Sequence, residues 1–169
     1  MINTILVATD GSSHARKALD LAIEFSKLFE ARLVVMHVIG QGDVPAELIH
    51  MAQVEHIVEP PATDPAMPRA SIPHADVRTW EESGKIHAYI ANKLLGSAED
   101  TAKEKNVGEF KTVAAEGDPA KSILETAEAE KADMIVMGSR GLGNLKGLLV
   151  GSVSNKVNHL AGCTCVCVK

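Results

Sequence analysis

Several things are scarce in this chain, and each scarcity excludes a class of function. Aromatic residues make up 3% of the 169 residues, with Trp80, Tyr89 and three Phe. That leaves no stacking platform for single-stranded bases. Basic residues do not predominate: Lys and Arg total 17 against 22 Asp and Glu, for a net charge of −5, and the few basic clusters have acidic residues beside them. Nucleic acid and anionic membrane surfaces are therefore not expected partners. Hydrophobic residues reach 46%, yet no apolar run approaches the roughly 18 residues that span a bilayer. The opening stretch MINTILVATDGSS has neither a basic n-region nor a small-residue cleavage site, which leads us to expect a cytoplasmic protein. Cysteine is limited to Cys163, Cys165 and Cys167. A chain of this length buries about two-thirds of its unfolded surface, enough to fold as one domain without a disulfide or structural metal.

What is present is an alternation of apolar runs and amphipathic stretches. Residues 2–9 form a short β-rich run that stops at Asp10-Gly-Ser-Ser, a buried strand leaving through a turn. The helix expected next has Ala15, Ala18, Leu19, Ala22, Ser26 and Phe29 on one face, with Ser12 or Ser13 capping its first amides. Residues 31–39 are a second apolar run. Six of the seven prolines then fall between Pro45 and Pro73, so residues 41–80 read as an insertion, with a short helix near 45–59 and a long loop of the lid or interface kind. Helical spacing resumes at Ala91, Leu94, Leu95, Ala98 and Ala102, before a third strand at 110–115. Asp118-Pro119 marks a helix start with Ile123, Leu124 and Ala127 as its core face. Residues 132–137 and 163–168 are two more strands, with a helix at 152–160 between them. Continuously apolar strands separated by helices predict an α/β protein with a parallel sheet covered on both faces. In such sheets ligands bind at the carboxyl ends of the strands.

The most informative segment is GSRGLGNLKGLLVGS, residues 138–152. It is not a P-loop, because Gly138 and Gly143 are followed by Asn144 rather than by Lys and a hydroxyl residue. Nor is it a dinucleotide fingerprint, because the glycine after Gly141-Leu-Gly143 comes at 147, one residue late. Its own pattern is Gly138-x2-Gly141-x9-Gly151-Ser152. Gly138 and Gly141 are expected to take positive φ and let the backbone approach a ligand. Gly151-Ser152 opens a helix whose free N–H groups and dipole favour a phosphate. The nine residues between form a flap, from which Lys146 could reach a terminal phosphate.

With that spacing, the chain resembles the nucleotide-binding subgroup of the universal stress protein family. The resemblance runs from ILVATDGS at 5–12, through His37-Val38 and Gly117-Asp118-Pro119, to VMGSRG at 136–141. The Pro-rich insertion departs from the family pattern, as does Thr164 where the family usually has proline. The resemblance implies a single Rossmann-like, doubly wound domain over residues 1–169, with five parallel strands in the order 3-2-1-4-5. It implies ATP, with Mg2+, as the ligand. Ala8, Thr9 and Val38 would lie near the adenine, with Asp10 toward the ribose or the metal-bound phosphates. Gly138, Arg140, Gly141, Gly151, Ser152, Val153 and Ser154 would surround ribose and phosphates, and Met137 would also contact the nucleotide. It also implies a homodimer paired through the final strand, residues 164–168, and a stress-response role exercised through the bound state.

Competing readings were weighed against the same residues. A slow ATPase or phosphotransferase could assemble from Asp10, Arg140 and Lys146, but no strong nucleophile and base stand together. A flavodoxin-like FMN carrier would need aromatics around the flavin, and the turn Asp10-Gly-Ser-Ser-His offers none. A nucleotide-free partner-binding subunit is disfavoured by the intact glycine spacing. The three alternating cysteines share one strand face about 6.6 Å apart, too far for two thiolates on one zinc, so burial as small apolar residues is expected. Ser12-Ser13-His14 reads as capping rather than as a nucleophile beside a base. His37 reads as packed or adjacent to the ligand, and His50, His56, His74 and His87 as surface or interface residues.

Overall fold

The computed structural model describes residues 1–39, 80–142 and 151–169. The expected helix near 45–59, the Pro-rich loop, Lys146 and the flap at 143–150 lie outside them. Among the described residues nine elements follow one another: β1 (Thr4–Ala8), α1 (Ser13–Phe29), β2 (Arg32–Ile39), α2 (Trp80–Glu104), β3 (Phe110–Glu116), α3 (Pro119–Ala129), β4 (Met134–Gly138), α4 (Ser152–Leu160) and β5 (Thr164–Val168). The chain divides into two compact units, Met1–Gln41 with Ala91–Lys169, and Gly42–Ile90. The sheet and everything below belong to the first unit.

All four strand pairings are parallel, in the order β3-β2-β1-β4-β5. The order reverses direction at β1: the chain first builds outward through β2 to β3, then crosses back to β4 and β5. The apolar runs explain why the inner strands are strands at all. Alternate residues Ile5, Val7, Leu33, Val35 and Val136 pack with Ala18, Ala22 and Ile23 of α1 and Leu95 and Ala98 of α2. The intervening residues Leu6, Val34, Met36, Ile135 and Met137 pack with Ala120, Ile123 and Ala127 of α3 and Val157 of α4. Each fully buried aliphatic side chain contributes about 1.5–3 kcal/mol. β1 after Thr4, and the whole of β4, can be apolar at every position because both faces are covered.

The helix starts are set by short polar side chains. The Ser12 hydroxyl accepts from the Ala15 N–H at 3.2 Å, and Asp118 Oδ1 accepts from the Lys121 N–H at 2.9 Å with Pro119 at the first helical position. The burial of α1 differs from the expected face in two places: Ile23 is fully buried, whereas Phe29 is 40% exposed. Phe29 is the last residue of α1, and its ring meets Phe25 at a centroid distance of 6.0 Å.

Cys167 departs from the expected burial: it is exposed, while Cys163 and Cys165 are half-buried against the α3–α4 side. The reason is that β5 is an edge strand, covered less completely than β1 or β4. Burial pushes the Cys165 thiol up to about 11 and raises that of Cys163 as well. Among the described residues no helix is long and apolar enough to cross a membrane.

The amino ends of β1 and β4 are tied by one carboxylate. Asp133 Oδ2 accepts from the Asn3 N–H at 2.7 Å and the Thr4 N–H at 3.0 Å, and these two bonds hold its pKa below the ordinary carboxylate value. A lowered folded-state pKa means that the contribution to stability is present above about pH 4 and is lost as the pH falls through the lowered value. The urea midpoint of Asp133→Asn should therefore lie below that of the wild type near neutral pH and converge with it in acid. A gap that persists unchanged at low pH would contradict the assignment.

Candidate functional site

The carboxyl ends of β1 and β4 lie side by side, with Ala8 opposite Met137. From there α1 runs onto the face it shares with α2, and α4 onto the face it shares with α3. The parting leaves a cavity of about 300 Å³. Ala8, Thr9 and Asp10 line it from the end of β1, and Val38 from β2. Met137, Gly138, Arg140 and Gly141 line it from β4 and the segment after it, and Gly151, Ser152, Val153 and Ser154 from the start of α4. All twelve residues singled out in the sequence thus meet in one place. Ala15, Pro119, Ile123 and Leu142 complete the wall and were not foreseen. Asp118-Pro119 was visible as a helix start, but its arrival at this cavity follows from the crossover between β3 and β4.

Two turns are locked by their own side chains. In the first, the Thr9 hydroxyl accepts from the Gly11 N–H at 3.3 Å and Asp10 Oδ1 accepts from the Ser12 N–H at 3.0 Å. Gly11 sits at φ +81°, where a side chain would be strained and would press on Leu94 at 2.9 Å. In the second, the Ser139 carbonyl accepts from the Gly151 N–H at 2.7 Å and from the Ser154 hydroxyl at 2.8 Å. Ser139, 1% exposed, thereby closes the loop that leaves β4 and returns at α4. The turns are joined as well: Asp10 Oδ2 accepts from the Leu142 N–H at 3.2 Å, and the Ser12 hydroxyl lies 3.4 Å from the Arg140 carbonyl. Asp10 is accordingly a strut between the two walls. Each of its oxygens keeps a further lone pair.

The glycines do a different job from the one expected of them. Among the described glycines only Gly11 and Gly117 have positive φ; Gly138 and Gly141 do not. At Gly138 the constraint is packing, since an added Cβ would lie 2.9 Å from the Ala15 nitrogen and from His14 Cβ. At Gly141 it would overlap the Asp10 carboxylate. Both lack side chains because another wall of the cavity passes close by.

Of the three helices that begin at this end of the sheet, α1 and α3 have side-chain caps, whereas α4 begins at Gly151 with none. The first-turn N–H groups of α4 therefore start in the wall of the cavity with no cap from the side chain at the N-cap position and no acidic residue in the turn. At the opposite wall, β2 outruns β1. Leu33 and Ile39 use their backbone groups toward β3, while Arg32 and Met36 bond toward β1. By that alternation the N–H and C=O of Val38 point to the β1 side, past Ala8, the last residue of β1. Among the described residues no three His, Cys, Asp or Glu side chains converge as a metal site.

The pattern of the universal stress protein family matches residues 1–169. The chain belongs to the universal stress protein family. It is 33% identical over 171 residues to universal stress protein YxiE of Bacillus subtilis, covering 100% of both chains. A universal stress protein encoded in the QAH/OAS sulfhydrylase 3' region of Thermus aquaticus is 34% identical over 169 residues, again covering 100% of both. Among solved structures, universal stress protein UspA from Lactobacillus plantarum superposes with a TM-score of 0.70 at 19% identity, covering 99% of this chain and 98% of that one. A universal stress protein in complex with cAMP gives 0.63 at 22% identity, with 99% and 97% covered. One from Archaeoglobus fulgidus in complex with dAMP gives 0.61 at 18%, with 100% and 98% covered. These structural likenesses establish the shared universal stress protein fold, with its five parallel strands in the order 3-2-1-4-5.

Because a Cβ at Gly138 would meet backbone rather than a flexible side chain, Gly138→Ala should lower unfolding free energy by about 1–3 kcal/mol. Equilibrium denaturation checks this, and wild-type stability would show that α1 does not pack against β4 as closely as described.

Proposed function

We propose that the cavity binds an adenine nucleotide, with ATP and Mg2+ as the working pair, and that the protein is a cytoplasmic stress-response module whose signal is its bound state rather than a product. The observation that carries this reading is the uncapped start of α4 in the cavity wall. Three N–H groups at residues 152–154 and the positive end of a helix dipole make a phosphate site that needs no basic side chain. Arg140 adds a positive charge at the rim, and Asp10 is the carboxylate beside which a phosphate-bound Mg2+ would sit. The Val38 edge suits the base. An N–H donor beside a C=O acceptor complements adenine, whose N1 accepts and whose 6-amino group donates; guanine presents the reverse pattern. The bound cAMP and dAMP of the two related structures support an adenine ligand. We read residues 41–80 as an insertion into this nucleotide-binding domain.

The direct test is to acid-denature freshly purified protein and separate what it releases. Near-stoichiometric ATP is the expected result. ADP or AMP alone would favour hydrolysis on the same scaffold, and a protein that neither releases nor binds added Mg-ATP would contradict the reading.

Gly151→Asp probes the phosphate position. Aspartate is a good N-cap, which offsets the close approach of its Cβ to the Ser139 carbonyl at 3.3 Å, so the variant should fold. Its carboxylate would occupy the place of the phosphate and repel it, weakening nucleotide binding by about 2 kcal/mol or more, roughly thirtyfold in Kd. Calorimetric titration showing wild-type affinity in the folded variant would refute the placement.

We further propose a homodimer paired through β5. In β5, Thr164 and Val168 bond toward β4, so the alternation turns the backbone groups of Cys165 and Cys167 outward from the sheet edge. Cys167→Pro removes one outward donor without breaking the ladder to β4. Light scattering should show a shift from dimer to monomer, and an unchanged dimer would place the interface elsewhere.

A further inference from the structure

The end of β2 holds a detail that the nucleotide reading does not require in advance. If the β1–β2 ladder simply continued, the Val38 N–H would donate to the Thr9 carbonyl. Arg32 does so to Asn3 at the other end of the pair at 2.9 Å, and the Thr9 N–H itself still donates to Met36 at 2.9 Å. The partner of the Thr9 carbonyl is instead the ring of His37, with Nδ1 at 2.8 Å. A carbonyl oxygen has no hydrogen to give, so Nδ1 carries the proton and the imidazole donates. His37 alternates with Val38 along the strand, and by the same alternation it shares the face of Leu33 and Val35, which pack with α1 and α2. Val38 packs on the opposite face, with α3 and α4, and lines the cavity. The ring thus acts from behind the sheet, one residue from the groups that face the ligand.

We infer that His37 is a positioning residue for base selection: by drawing the Thr9 carbonyl toward its ring, it holds that oxygen out of line with the Val38 N–H, which stays clear to read position 1 of a purine, so that the site prefers a 6-amino purine nucleotide over a 6-oxo one. This rests on the reading that the Val38 edge meets the base. Without the imidazole donor, the Thr9 carbonyl is left to find another partner, and the nearest backbone N–H in register is that of Val38. Closing that bond would extend the ladder by one step and remove the donor that adenine needs at N1. A 6-oxo purine, which has N–H at that position, would lose nothing by the change.

Competitive titration of ATP and ITP against the wild type, His37→Phe and His37→Asn tests this. The phenyl ring keeps the bulk without the donor, and the asparagine amide places a donor where Nδ1 stands. The wild type should prefer ATP. In His37→Phe the affinity for ATP should fall tenfold or more with that for ITP little changed, so the preference collapses; His37→Asn should retain most of it. If Phe prevents folding, His37→Leu makes the same comparison. An unchanged ATP-to-ITP ratio in the donor-free variant, or equal behaviour of the Asn and Phe variants, would overturn the role of His37 while leaving the nucleotide site standing. A wild type that binds neither nucleotide would overturn the underlying reading and this inference with it.

Discussion

Where β1 and β4 end side by side, the two following segments leave for opposite faces of the sheet, and every backbone group exposed by the parting needs a partner. Buried N–H and C=O groups without partners cost about 1–3 kcal/mol each, so a crevice of this kind is stable only if its rim is closed by short side chains or by a ligand. Here the first solution is visible. Thr9, Asp10 and Ser12 satisfy the turn after β1, and Ser139 with Ser154 satisfies the loop after β4. Asp10 then links the two rims through the Leu142 N–H.

The consequence for function lies in what that network leaves without a cap or a ladder partner among the described residues. Caps close α1 and α3, but α4 starts at a glycine with no side-chain cap, and the end of β2 projects beyond its neighbour on the β1 side. One is a set of donors suited to phosphate; the other is a donor and acceptor pair suited to the edge of a base. They lie on different walls of one cavity of about 300 Å³, with glycines at 138 and 141 allowing those walls to approach. The same scaffold that satisfies the parting strands therefore fixes the two ends of the cavity in which we propose that a nucleotide binds.

Much of this was legible in the sequence because its signals were local. Uninterrupted apolar runs marked strands buried on both faces, Asp118-Pro119 marked the start of α3, and Gly151-Ser152 marked the start of α4. The family resemblance carried by those motifs named twelve of the sixteen residues that line the cavity. What could not be read depended on neighbours distant in the chain. The glycine at 138 reflects the passage of α1 rather than a left-handed backbone; the exposure of Cys167 reflects the edge position of β5. The linkage of Ser139 to Gly151 and the donation from His37 to Thr9 need the third dimension, because nothing in a serine or a histidine inside an apolar pattern specifies its partner.

The most direct measurement is amide by amide. In 15N-labelled protein titrated with Mg-ATP, the backbone resonances of Val38 and of residues 152–154 should shift most, together with those of Arg140 and Gly141, while Asn3, Thr4 and Asp133 at the far end of the sheet stay still. Perturbations concentrated at that far end, or none at saturating nucleotide, would contradict the claim that the parting of β1 and β4 builds a nucleotide site.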